Sequence, residues 1–261
     1  MPEYQQKQLA PVRIVEFSSK EQSLAYRSVD WEAGHYESNG NRDWIALGPD
    51  PNAANRAALL AHEYNHMVAA RAGLRLPHWL SEGLAVLFST VKPAGDTTRV
   101  GGPIGYRLAT LKSGDWLSIE ALTGADDRGF RGMTGREANL FYAESWLLTQ
   151  LLYASPEYGP NFPKLITAVN EGTPTAEAFE RAFGRGAAVV EKDLRGHAGE
   201  IAQLDREFPV RMDSASELAI ETAAAGDFEI ALVMADLLSV MRKENEAQRA
   251  FDALCPFGKP A

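Results

Sequence analysis

One cysteine, Cys255, is all that the 261 residues contain. A single thiol excludes an intramolecular disulfide, a Cys-x-x-Cys redox pair and any cysteine-based zinc ribbon. Basic residues are the minority charge: 26 Lys and Arg stand against 35 Asp and Glu, a net of −9. That balance favours solubility and offers no electrostatic grip on a phosphate backbone, so nucleic-acid binding is not expected. Long apolar runs are missing too. The longest, 84–88 and 230–241, fall short of the ~18–20 residues of a membrane span, and Asp236 and Ser239 interrupt the second. The first residues, Met-Pro-Glu-Tyr-Gln-Gln-Lys, have no apolar segment of the signal-peptide kind. They suit a cytoplasmic protein, or an extracytoplasmic one (periplasmic or secreted) whose leader has been removed. There is no low-complexity tract.

What remains is the composition of an ordinary globular chain, 45% hydrophobic and 23% charged, long enough for one or two domains with a sizeable core. Residues 11–17, Pro-Val-Arg-Ile-Val-Glu-Phe, alternate apolar and polar side chains and read as a half-buried strand. Asp43–Leu47 reads as a second strand, closed by Gly48-Pro49, with turn composition over 37–42. Asp50-Pro51 reads as a helix start, with Asp50 as the capping carboxylate, and Gly73 as the helix end near Arg71. A second helix is expected over about 79–88 and a third over about 136–154, with Leu140, Leu147, Leu148 and Leu151 on its apolar side. Residues 92–135 read mainly as loop, apart from a short helix near 117–122. Shorter helices follow near 161–171, 175–183 and 187–197. From about Ser214 the pattern changes to helix, Gly226-Asp227 turn, helix. This resembles a single tetratricopeptide hairpin, which cannot bury its own face and must pack on the preceding domain or on a partner.

The chemistry lies in the first of these helices. His62-Glu63-Tyr64-Asn65-His66 is an H-E-x-x-H motif. Four residues of helix put both imidazoles on one face, where they can reach one ion, and Glu63 beside them can take a proton from a water that the ion activates. A hydrolytic zinc site needs a third protein ligand. The metzincin pattern fails, because Ala69 and Ala72 stand where glycine and histidine are required. Downstream, His78 and Glu82 are the nearest candidates. Glu82 lies on a helix able to return beside the first, and it would complete a two-histidine, one-glutamate set with a fourth position open to water.

His62–His66 followed by Pro77-His-Trp-Leu-Ser-Glu-Gly-Leu-Ala85 resembles the gluzincin zinc metallopeptidases, in particular their peptidase MA-like domains. The resemblance extends more weakly over about 11–197, through the early strand, Tyr142-Ala-Glu-Ser-Trp146, and the Ala-Phe-Gly ending at Gly184. It implies zinc, one per chain, held by His62, His66 and Glu82. It further implies Glu63 as general base, Tyr142 as the hydroxyl that steadies a tetrahedral oxyanion, and a peptide or protein as substrate. The sequence departs from the family's pattern at Val86, where thermolysin-like enzymes carry an aspartate that orients a ligand histidine, so another outer partner is needed. The His66–Glu82 spacing is also short, and the aminopeptidase Gly-x-Met-Glu-Asn signature is absent; Glu37 matches its glutamate only loosely.

Blander readings stand beside these. The histidines would be surface or capping residues and Glu82 a first-turn glutamate serving the helix dipole. Tyr142 would be core, as Phe141, Trp146 and Trp79 are expected to be. His35 and His197 read as ordinary histidines, and His78 as a turn residue or a substrate contact. Together the features predict an α+β fold, with a small N-terminal mixed sheet packed on the H-E-x-x-H helix and a mainly helical C-terminal half. The expected division is a peptidase domain over 1–200 and a helical hairpin over 201–261, the hairpin being free to engage a protein partner. Asp43–Leu47 is expected as the sheet edge that pairs with an extended peptide. The alternative function is a catalytically inactive zinc-binding pseudopeptidase that acts as an interaction module.

Overall fold

The computed structural model describes residues 11–29, 32–112, 115–198, 206–209 and 223–254. The chain runs through β1 (Val12–Glu16), α1 (Lys20–Leu24), β2 (Gly34–Ser38), β3 (Asp43–Leu47), α2 (Ala53–Arg71) and α3 (His78–Phe88). It continues with β4 (Lys92–Ala94), β5 (Thr97–Val100), α4 (Gly105–Leu111), α5 (Ile119–Gly124), α6 (Asp127–Arg131) and α7 (Gly135–Ala154). Last come α8 (Phe162–Asn170), α9 (Thr175–Phe183), α10 (Ala187–His197), β6 (Arg206–Pro209), α11 (Asp227–Val240) and α12 (Glu244–Leu254). The fold is α+β, with a small mixed N-terminal sheet and a mostly helical C-terminal half, as the pattern predicts. No helix among the described residues is long and apolar enough to cross a membrane.

Two compact units result, one formed by 1–51 together with 212–261 and the other by 52–211. In the first, β3 lies at the centre of the sheet, parallel to β1 and antiparallel to β2. This corrects the expectation that Asp43–Leu47 is a free edge. All five of its residues are buried, and its unbroken Trp-Ile-Ala-Leu run is the signature of a strand covered on both faces rather than a half-exposed one. The α11–α12 hairpin covers the sheet: Leu237 and Val240 pack with Phe17, Trp44 and Ala46 in one cluster. Asp236 of α11 pairs with Arg13 and Arg42, at 3.5 and 2.8 Å, tying the same helix to the sheet.

The hairpin itself is one helix later than the sequence suggests. Gly226 caps the start of α11, and the chain reverses after α11 at Arg242, whose φ of 58° is the only positive value for a non-glycine among the described residues. Of the helix expected from Leu218 to the Gly226-Asp227 turn, residues 218–222 lie outside the described residues and 223–225 are not helical.

In the second unit, α2 starts two residues later than Asp50. Asn52 is its cap, and its side-chain oxygen accepts from the amides of Ala54 and Asn55, at 2.8 and 3.3 Å. The helix ends as expected. Gly73, at φ 69°, sends its N–H to Ala70, and Leu74 sends its own to Ala69, which closes the last turn. A reciprocal cap between Thr134 and Glu137 opens α7. Trp79, Leu80 and Leu87 of α3 and Phe141, Trp146, Leu147 and Leu148 of α7 are fully buried and form the core. Residues 92–135 are more ordered than expected. They contain the β4–β5 hairpin and three short helices, and β5 gains β6 as a second antiparallel neighbour.

Candidate metal centre

The H-E-x-x-H face of α2 meets the first turns of α3. His62 Nε2 and His66 Nε2 stand 3.2 Å apart, while Glu82 places Oε2 3.3 Å from His62 Nε2 and Oε1 3.5 Å from His66 Nε2. An ion held tetrahedrally at ~2.0–2.1 Å from each donor separates its ligand atoms by ~3.3–3.4 Å, so the three are spaced as such a site requires. Among the described residues they are the group whose donor atoms converge in this way. Glu82 Oε2 is buried, with no hydrogen bond of good geometry and the His62 imidazole at 3.3 Å as the polar group facing it, a position that a cation would complete.

Electrostatics reinforce the geometry. Burial alone would raise the Glu82 carboxyl, but the two imidazoles beside it hold it well below the usual carboxylate range. Burial alone would lower His66, and the Glu82 carboxylate, with Glu63 adding to it, outweighs that and raises it. The buried Glu82 carboxylate thus makes the point where the donors converge one that favours positive charge. Two nitrogens, one carboxylate oxygen and no thiol form a donor set suited to zinc.

The outer partner that Val86 does not supply is Ser81. Its Oγ lies 3.2 Å from His66 Nδ1, close enough to accept from that nitrogen in the tautomer protonated there. The residue sits in the sequence motif itself, one position before Glu82. Val86 is buried within α3.

Glu63 is buried on α2, 4% exposed. Tyr142 comes from α7 and lies edge-on to His62 with ring centroids 6.2 Å apart, so a residue 80 positions away joins the cluster. Phe130 packs edge-on to it at 5.4 Å. His78 instead stacks against Phe130 and Phe141, at 4.4 and 5.4 Å, and is not among the converging donors. Trp79 and Trp146 are core, and Trp79 donates to Thr175 Oγ1 at 3.2 Å.

No family model matches the chain, and no curated protein matches it.

The remaining candidates lie elsewhere. Glu37 is on β2, in the other unit. His35, also on β2, is pushed down to about 4 by burial, with Lys243 adding to the effect, although Glu32 Oε2 lies 3.6 Å from its Nδ1. His197 is buried against Gln150 at 3.2 Å. Arg107 gave no signal in the sequence, because it falls in the stretch read as loop. The structure places its guanidinium carbon 4.8 Å from the centre of the Tyr142 ring.

Proposed function

We propose that this chain is a zinc-dependent peptidase, with His62, His66 and Glu82 holding one ion and Glu63 acting as general base. The observation that carries the reading is the convergence of three donor atoms at 3.2–3.5 Å, next to a buried glutamate on the same helix. A zinc ion at such a site supplies Lewis acidity, polarising a carbonyl and making water acidic enough to attack near neutral pH. The protein's own work is positional and protolytic. Glu63 takes the proton of the attacking water and returns it to the departing amine. Tyr142, whose ring α7 carries beside His62, donates its hydroxyl to the oxygen on which negative charge develops. Ser81 keeps the His66 ring in the tautomer whose Nε2 is free to bind.

Two measurements on the same protein test this. Elemental analysis after zinc loading should find one zinc per chain, and a peptide-library digest should show cleavage that Glu63→Gln lowers by about a thousandfold without loss of metal. Absence of zinc refutes the site. Full activity in Glu63→Gln refutes the base. Zinc without any cleavage leaves the inactive, partner-binding alternative in its place.

A further inference from the structure

Arg107 is buried, only 9% exposed, and its charge has no counter-ion of its own. Among the described residues no carboxylate lies within ion-pair distance of it. Its guanidinium lies against two rings, 4.9 Å from the centre of Tyr106 and 4.8 Å from that of Tyr142. The Nη1 donates to the Asn139 carbonyl at 3.3 Å, while Nε is buried without any partner. Burial depresses this guanidinium, and the neighbouring Tyr106 and Tyr142, a hydrogen bond with Tyr106 and, least, the field of Glu82 oppose it. That carboxylate is already committed to His62 and His66. A buried arginine with an open N–H is expensive unless something anionic completes it, and a planar fork of donors matches a carboxylate best.

Resting on the peptidase reading of the same site, we infer that Arg107 is a substrate-binding residue that accepts a carboxylate of the peptide, either its C-terminal group or an Asp or Glu side chain near the scissile bond. Tyr142 is the link: its ring centre lies 4.8 Å from the guanidinium carbon and 6.2 Å from the centre of the His62 ring, so a carboxylate held by Arg107 is near the converging donors. The ring faces also exclude water from the pair, which strengthens a charge-assisted hydrogen bond.

The test is equilibrium binding to zinc-loaded Glu63→Gln protein, read by fluorescence anisotropy of labelled peptides, so that it does not depend on turnover. One pair of probes is tetra-alanine as free acid and as amide; the other is Ala-Glu-Ala-Ala-amide and its Gln counterpart. One member of one pair should bind on the order of tenfold tighter than its neutral twin, and which pair responds identifies the source of the carboxylate. Adding Arg107→Met should erase that ratio with zinc content unchanged, and Arg107→Lys should keep its direction at smaller size. The ratio within one protein cancels any loss of stability, and the Lys variant serves if the Met variant does not fold. Equal affinities for the twins, no binding of either acid, or a ratio that survives Arg107→Met (a carboxylate sitting on the ion instead) overturns the inference. Preference without cleavage by wild type would sink the peptidase reading alone; cleavage without preference would sink only this one.

Discussion

A side chain's neighbours decide which of its protonation states the fold prefers, and Glu144 shows this away from the His62–His66–Glu82 cluster. It is almost fully buried on α7, where burial pushes its carboxyl up to about 7 against the Leu117 amide, which donates to Oε1 at 2.8 Å. In the unfolded chain the group titrates near the ordinary glutamate value of ~4.3. Between that value and about 7 the folded state therefore binds more protons than the unfolded one, and stability falls as pH rises through this window. The contribution is complete below the window and gone above it, on the order of 2 kcal/mol. Glu144→Gln keeps an acceptor for Leu117 and removes the titration. Urea midpoints at pH 5 and 8 should differ clearly in wild type, and this share of the difference should vanish in the variant. His62, Glu63 and His66 were legible in the sequence because their spacing is helical and local, and Glu82, on the next helix, because of the Trp-Leu-Ser-Glu-Gly stretch around it. Ser81 was visible but unassigned, and Arg107 was not legible at all, since its meaning comes from an aromatic partner 35 positions away.

Among the elements, the crossing of α3 with α7 fixes where Glu82 points, and Gly83 is what lets the helices approach. A Cβ at that position would meet Thr149 Oγ1 and come within 2.5 Å of the Ser145 carbonyl oxygen. The carbonyl belongs to a buried helix backbone and cannot step aside. Gly83→Ala should therefore cost about 2–4 kcal/mol despite the better helix propensity of alanine. Chemical denaturation measures this, and a neutral or stabilising result would contradict the packing described here. The long elements were readable because each carries its own punctuation: Gly73 for α2, the Thr134–Glu137 box for α7, Gly184 for α9. Residues 92–135 were not, because β4 and β5 are three and four residues long and β5 gains its second neighbour from Arg206–Pro209. No local pattern announces a partner a hundred residues downstream. The central place of β3 was legible in principle, as its apolar run never alternates.

Seen whole, the molecule holds its sheet with its last helices. Leu237 is fully buried in the cluster with Phe17, Trp44 and Ala46, far from it in sequence. Leu237→Ala should destabilise the sheet unit by about 2–5 kcal/mol, the usual range for such a deletion. Hydrogen exchange would report it as faster exchange of the β3 amides, with the α7 amides as the internal comparison. Unchanged protection of β3 would mean that the hairpin is not what holds that strand.

The sheet unit also has a history imposed by its discontinuity. Its strands leave the ribosome long before the helix that covers Trp44, which emerges only after residue 240 has been made. At ~5–20 residues per second, β3 waits about 10–40 s with its apolar faces bare while everything from α2 to α10 is synthesised and can fold. A nascent chain that exposes Trp-Ile-Ala-Leu for so long presents a binding site for a holding chaperone, and translation rate becomes a determinant of its yield.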